Sequence, residues 1–379
     1  MLNFVEWHAA LLNDRPRLAA YERAIAATVR PGDVVVDLGA GTGVMGLLAC
    51  RAGASRVYAI EGDGIIEMAR RIAAANGFGD RIVAIYGDSR NVDLPERADV
   101  AIADQIGPLG IGGGLFSVFN DARRRLLKPG GITIPGRVAL SVALAEYPRG
   151  LPTIEFWEAP HLGFDMTAMC DVACNVGYET RAASAELLSA PAQLLAFEPA
   201  RSCVEPSAGS ATLCAARAGV AHGLFGFFSA ELSPGVTVSN SPLGADAIDR
   251  YAWFMPFERP TALAAGDSAA VTLHVMPVEE TVTWRAEIGG RDGACKARFA
   301  HSTVKGKPLA REALRPLRPD YVPRLSPRGA IERTVLDLCD GARGVCEIAQ
   351  ELARRFPGRF SGAEEAELAV LRVVGSRAE

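Results

Sequence analysis

The run Asp37-Leu-Gly-Ala-Gly-Thr-Gly43 sets three glycines at alternate positions, after a short apolar stretch, Val34 to Leu38, and before a helical one, Val44 to Ala52. Glycines there let the backbone turn sharply and let a ligand approach with no side chain in the way. Glu61 ends the next apolar stretch, 22 residues after Gly39. A carboxylate so placed can accept both ribose hydroxyls, as in dinucleotide-binding folds. The loop alone suits a nicotinamide cofactor or S-adenosylmethionine; the spacing G-x-G-x-G in place of G-x-G-x-x-G, with Asp37 ahead of it, favours S-adenosylmethionine. Asp88 follows a third apolar stretch, where an acid can accept from an adenine amino group. Asp37, Gly39, Gly41, Glu61 and Asp88, with the adjoining Gly62 and Ser89, form the candidate cofactor set.

Metal chemistry is not indicated. Eight cysteines, at 50, 170, 174, 203, 214, 295, 339 and 346, include no Cys-x-x-Cys, and the five histidines are equally dispersed. Forty basic residues against 44 acidic ones, a net of -4, give no field to hold a polynucleotide. No uncharged apolar run approaches ~18 residues, and Glu6 and Asp14 stand where a secretion signal is apolar. The expectation is a soluble, cytoplasmic protein with neither nucleic-acid nor membrane partners. A hydrophobic fraction of 49% with 22% charged residues fits a globular chain, and 379 residues suit two large units and a small one.

Those residues need elements to position them. Helical spacing runs through residues 1 to 30, with Trp7, Leu11, Leu12, Leu18, Tyr21 and Ile25 on roughly one face. From Asp33 to Pro135 strands and helices alternate, which implies a doubly wound parallel sheet with ligands at the strands' carboxyl ends. Beyond Arg137 the period becomes two, in Val271, Leu273 and Val275 and again in Val282, Trp284, Ala286 and Ile288, so antiparallel strands are expected. A partly helical segment at about 151 to 197, including Glu186 to Leu195, interrupts them. Lys305 to Arg328 carries five prolines and seven basic residues against two acidic ones, and reads as a linker. Three helices follow, at Ile331 to Leu338, Val345 to Phe356 and Gly362 to Val373.

Asp37 to Gly43, Gly53 to Glu61, Asp93-Leu-Pro95 and Leu127-Lys-Pro-Gly-Gly131 through Ile134-Pro135 resemble the catalytic core of protein arginine methyltransferases. Leu11-Leu-Asn-Asp14 with Arg17 and Tyr21 resembles that family's first helix, whose arginine holds the cofactor carboxylate. Trp157-Glu158, Gly163-Phe-Asp-Met166 and Asp171-Val-Ala173 look like the start of its dimerisation arm, and Gly226-Phe-Phe228 and Ala265-Gly-Asp267 match its β-barrel more loosely. The resemblance covers roughly residues 4 to 295. It implies a Rossmann-like domain at 1–136, an antiparallel β-barrel substrate domain at 137–304 with the helical arm, and a homodimer through the arm; beyond it the residues themselves give the linker at 305–328 and a small helical domain at 329–379. The last segment, Asp337 to Leu352 with Phe356-Pro357, resembles winged-helix domains that bind leader peptides.

Where an acceptor should bind, the chain departs from the family. Of the two glutamates that clamp a guanidinium, the first position holds Asp104 and the second Gly113. The family's Thr-His-Trp loop is replaced by Asp249-Arg250-Tyr251; Arg250 reads either as a surface arginine or as a group that repels a cationic acceptor and pairs with an anionic or carboxylate-bearing one. The candidate catalytic residues are therefore Asp104, with Tyr21 and Arg250 behind it, and Arg17 joins the cofactor set. The expected activity is methyl transfer from S-adenosylmethionine to a peptide or small-molecule acceptor of a biosynthetic pathway. Two rivals stand beside it: a divergent arginine methyltransferase in which Glu22 supplies the missing carboxylate, and a non-catalytic scaffold.

Overall fold

Asp14 splits the N-terminal helical stretch in two. It caps the end of α1 (Phe4–Asn13), and its side chain accepts the N–H of Arg17 at 3.2 Å to start α2 (Arg15–Thr28). The break turns the faces apart: Tyr21 and Ile25 on α2 are fully buried, whereas α1 buries none of its residues and leaves Trp7 and Leu12 exposed. A computed structural model describes residues 3–199, 201 and 205–377 of the chain; Cys203 lies outside the described residues.

After α2 the chain runs β1 (Val34–Leu38), α3 (Val44–Ala52), β2 (Arg56–Glu61), α4 (Ile66–Ala75), β3 (Ile82–Tyr86), β4 (Ala98–Ala103), α5 (Leu115–Arg125) and β5 (Leu127–Ile134). These strands form one parallel sheet in the order β3-β2-β1-β4-β5. Helices cover both faces, so β1 is buried at every position and its Val-Val-Val-Asp-Leu sequence does not alternate. The order reverses between β1 and β4, and a crevice therefore opens at their carboxyl ends. Gly39 to Gly43, Glu61 and Asp104 all lie on that edge.

Two antiparallel sheets follow. Strands β6 (Arg137–Ala145), β7 (Tyr178–Thr180), β8 (Ala192–Phe197), β9 (Ser207–Cys214), β10 (Gly219–Ser233), β11 (Val236–Ser239), β12 (Ala252–Leu263), β13 (Ser268–Met276), β14 (Thr281–Gly289) and β15 (Cys295–Ser302) pair as β7-β12-β10-β6-β8, with β11 on β10, and as β15-β14-β13-β9. The sheets meet along β8 and β9 and along β12 and β15, which closes them into a barrel. The alternating side chains of β13 and β14 point into it, with Leu273, Trp284 and Ile288 fully buried. β6 and β10 are buried on both faces because one face joins the main core and the other a second cluster around Phe225, Phe227 and Phe254.

Between β6 and β7 lies an arm with α6 (Leu151–Glu155) and α7 (Cys170–Ala173), on which Phe156, Leu162 and Phe164 stand exposed. Glu186 to Leu195, expected to be partly helical, is instead a 3-10 turn at Ser184–Glu186 leading into β8. Backbone pairing with β6, Leu140 opposite Leu195, overrides the helical preference of its leucines and alanines.

The chain divides into two compact units, Met1–Pro308 and Leu309–Glu379. The second contains α8 (Arg311–Leu314), within the stretch expected to be a plain linker, then α9 (Pro327–Leu338), α10 (Val345–Arg355) and α11 (Ala363–Arg377). Its own core joins Ile331, Val335, Leu338, Ile348, Leu352 and Val370. Its described residues include no strand, so the wing of a winged helix is missing from them; without a hairpin to pack against, the three helices close the core among themselves. No helix among the described residues is long and apolar enough to cross a membrane.

Candidate active site

The glycine loop is built by left-handed backbone. Gly39, Gly41 and Gly43 have φ of +71°, +53° and +78°, conformations that cost other residues roughly 1–2 kcal/mol each. Space matters as much as dihedral angle: a Cβ on Gly39 would collide with Nε2 of Gln105. The N–H groups of Gly39 and Ala40 donate to the Ile60 carbonyl at 2.9 and 3.1 Å, so the loop folds back on β2. Glu61, at the end of β2, accepts the N–H of Gly41 at 3.0 Å and that of Asp63 at 3.1 Å. Asp37 is buried beneath the loop and accepts the Gly46 N–H at 3.0 Å. Burial pushes its carboxyl up to about 7, against the opposing pull of that N–H. The imidazole of His8 on α1 comes within 3.4 Å of where a Cβ on Gly41 would sit, so α1 lies beside the loop.

Asp37, Gly39, Gly41 and Glu61 are thus brought together. Asp88 begins the segment after β3, tied to β2 through the Gly87 N–H on the Glu61 carbonyl at 2.9 Å. Its carboxylate is already engaged by the guanidinium of Arg90, with Nε at 2.9 Å, which holds it below the usual carboxylate range. Ser89 is buried beside it, and Gly62 follows Glu61 in the bend after β2.

At the end of β4 four of the sequence candidates converge. Arg17, only 2% exposed, donates to the Asp104 carboxylate and to the Leu11 carbonyl. Arg250 places Nη2 3.4 Å from both the carbonyl and the carboxylate of Asp104, and is no free surface arginine. The hydroxyl of Tyr21 donates to the Ala103 carbonyl at 3.3 Å, and burial, with Asp104 nearby, raises its pKa well above the ordinary value. Gly113 has φ +67°, and a Cβ there would fall 2.8 Å from the Gln105 carbonyl oxygen, so the loop is shaped for glycine at that position. Glu22 does not replace the missing carboxylate. It points to solvent and pairs with Arg51.

Several residues here carried no local signal. Gln105 fills the space above Gly39, with Nε2 3.4 Å from the Leu38 carbonyl. Asn240 donates to the Pro108 carbonyl at 2.7 Å and to the Tyr251 carbonyl at 2.6 Å, joining the Asp104 loop to the Arg250 loop. Glu280, from the turn between β13 and β14, accepts the Gly114 N–H at 2.8 Å. Asp14 accepts the Asp249 N–H at 3.0 Å, and Asp249 in turn pairs with Arg181. A cavity of about 640 Å³ opens here, walled by Asn13 and Asp14 on one side and by Arg181, Asn240, Asp249 and Arg250 on the other.

Comparison with known proteins decides the family. The chain is 32% identical over 278 residues to an arginine N(omega)-methyltransferase of Streptomyces achromogenes subsp. streptozoticus, covering 72% of this chain and 76% of that enzyme. The chain belongs to the arginine methyltransferase family. A probable protein arginine N-methyltransferase 6 of Arabidopsis thaliana is 34% identical over 175 residues, 45% of this chain but only 40% of the plant protein. The TRM5/TYW2 methyltransferase domain also matches, over residues 8–108. Among solved structures, the Trypanosoma brucei PRMT1 enzyme-prozyme heterotetrameric complex with AdoHcy superimposes with a TM-score of 0.68 at 19% identity, covering 78% of this chain and 96% of that one. Arabidopsis thaliana protein arginine methyltransferase 10 gives 0.66 at 18%, covering 78% and 97%. As a member of the arginine methyltransferase family this chain is an S-adenosylmethionine-dependent methyltransferase. The left-handed glycines and the carboxylate of Glu61 at the end of β2 fit that cofactor: bare main chain on one side, a hydroxyl acceptor on the other.

Proposed function

We propose that this methyltransferase acts on a peptide or small-molecule acceptor of a biosynthetic pathway and not on the guanidinium of protein arginine. One observation carries the reading: the carboxylate of Asp104 is already bracketed by two guanidinium groups, those of Arg17 and Arg250. A third guanidinium would have to compete for it, and on the same loop Gly113 offers no second carboxylate. S-adenosylmethionine supplies an activated methyl on a sulfonium, so the protein's task is to place the acceptor in line and keep water away. In this reading Arg17 holds the cofactor's carboxylate, Glu61 the ribose and Asp88 the adenine, while Asp104 orients or deprotonates the acceptor. Tyr21 and Arg250 set the position of Asp104.

Arginine methylation is the second reading. The Streptomyces relative favours it, and so does Glu280, which brings a carboxylate from the barrel to Gly114. Incubation with labelled S-adenosylmethionine and glycine- and arginine-rich peptides separates the two. No label in the peptides is expected; turnover on them would reverse the order.

A homodimer through the arm belongs to the same reading, because Phe156, Leu162 and Phe164 are 51%, 97% and 66% exposed on one short segment. Light scattering that gives the 40.1 kDa of a single chain at micromolar concentration would count against it. A cytoplasmic setting suits the seven described cysteines, which are free thiols.

A further inference from the structure

The cavity between the α1–α2 junction and the barrel holds a guanidinium whose hydrogen bonds are mostly unmade. Arg250 has five N–H donors. Its side chain reaches Asp104 through Nη2 alone, at 3.4 Å, the long limit of a hydrogen bond, and makes no other among the described residues. The other charged groups lining this space are committed. Asp14 gives one oxygen to the Arg17 N–H at 3.2 Å and the other to the Asp249 N–H at 3.0 Å. Asp249 is paired with Arg181, whose guanidinium also lies over the Tyr251 ring, 5.2 Å from its centroid. Asn240 spends its amide on two carbonyls and its oxygen on the Phe228 N–H at 2.8 Å.

What the cavity lacks is an acceptor for Arg250, and what it has is room. At about 640 Å³ it is the size of a small-molecule site. Its remaining wall is small and apolar, with Ala10, Pro16, Ala182, Ala247 and Ile248. A planar fork with spare donors at the end of such a space matches a carboxylate, which can take two of them at once. Arg250 also stands against Asp104, the group assigned to the acceptor, and Asn240 on the same wall holds the Asp104 loop at the Pro108 carbonyl.

We propose that this cavity is the acceptor pocket and that it selects a carboxylate-bearing acceptor, whose carboxylate docks on the free donors of Arg250. The proposal rests on the reading of an acceptor other than protein arginine given above and names its chemical class. A free acid and the C-terminal carboxylate of a peptide present the same group, and the test separates them.

Full-length protein saturated with S-adenosylhomocysteine is titrated by ligand-observed NMR with four probes: N-acetylglycine, N-acetylglycinamide, N-acetyl-triglycine and N-acetyl-triglycinamide. At least one acid should bind tenfold or more tighter than its amide. The shorter acid alone doing so assigns the pocket to small molecules, and the longer one binding tighter assigns it to peptide C-termini. Arg250→Gln should erase the preference while circular dichroism shows an unchanged fold, and Arg181→Gln should keep it, since Arg181 is already paired with Asp249. Equal binding of acids and amides, no detectable binding of any probe, or a preference that survives Arg250→Gln overturns the proposal. These outcomes are independent of arginine turnover: label in an arginine peptide would overturn the reading against protein arginine even where the acids bind as stated.

Discussion

Glu61 Oε2 accepts the N–H of Gly41 at 3.0 Å, so the carboxylate assigned to the ribose also ties down the loop assigned to the rest of the cofactor. Glu61→Ala removes both functions. Hydrogen bonds to a charged acceptor are worth roughly 1.5–3 kcal/mol, which predicts a loss of S-adenosylmethionine affinity on the order of ten- to a hundredfold. Calorimetry reads it directly, and an unchanged dissociation constant would remove Glu61 from the site.

Gly113→Glu places a glutamate where the family carries one, yet it should not create an arginine methyltransferase. Its backbone is left-handed at φ +67°, and its new Cβ would press within 2.8 Å of the Gln105 carbonyl oxygen. Strain of this kind costs roughly 1–3 kcal/mol. The expected outcome is a lower melting temperature with no label in arginine peptides; a stable variant that gains arginine turnover would show that the loop rearranges freely.

His301 gives the barrel a pH dependence. It lies buried against Trp284 and Phe299, neither ring nitrogen has a hydrogen-bond partner, and burial lowers its pKa to about 4. The unfolded chain takes up this proton near pH 6.5 and the folded one only near 4. Stability is therefore full above pH 6.5 and falls as pH drops through that window, by at most about 3 kcal/mol from this group. His301→Phe should lose less stability than wild type between pH 7 and pH 4.5 in urea titrations. Parallel losses would show that the imidazole is not the group responsible.

A chain ending at Arg328 should stay folded and bind cofactor normally, because the helices beyond it have a core of their own. If the tail recruits a peptide acceptor, truncation raises KM before it lowers kcat, since remote contacts act equally in ground and transition states. Unfolding, or loss of cofactor binding, would make the tail part of the core and end the recruitment idea.

The meeting of the glycine loop with Glu61 was legible because its signals are local. Alternating glycines between a strand and a helix, and an acid at the end of the next strand, can be read off a short stretch. The surroundings of Asp104 are assembled from afar: Arg250 meets Asp104 across 146 positions and Glu280 meets Gly114 across 166, and no periodicity announces such contacts. Short-range competition was hidden too. Asp88 sits at the expected strand end, but Arg90 two residues on takes its carboxylate. In β8, leucine- and alanine-rich sequence suggests a helix, and only the neighbouring β6 makes it a strand.

The Asp104 loop is held from outside at two points, Pro108 by Asn240 and Gly114 by Glu280, and both holds come from the barrel. Gly114, the N-cap residue of α5, has no side chain to cap the helix, and its own N–H is held by a carboxylate from the barrel. A substitution in the β13–β14 turn, remote from any reacting atom in sequence, should therefore be felt as fraying at the start of α5. Slow hydrogen exchange at the Gly114 amide would be the gauge of whether the two halves of the enzyme breathe together or apart.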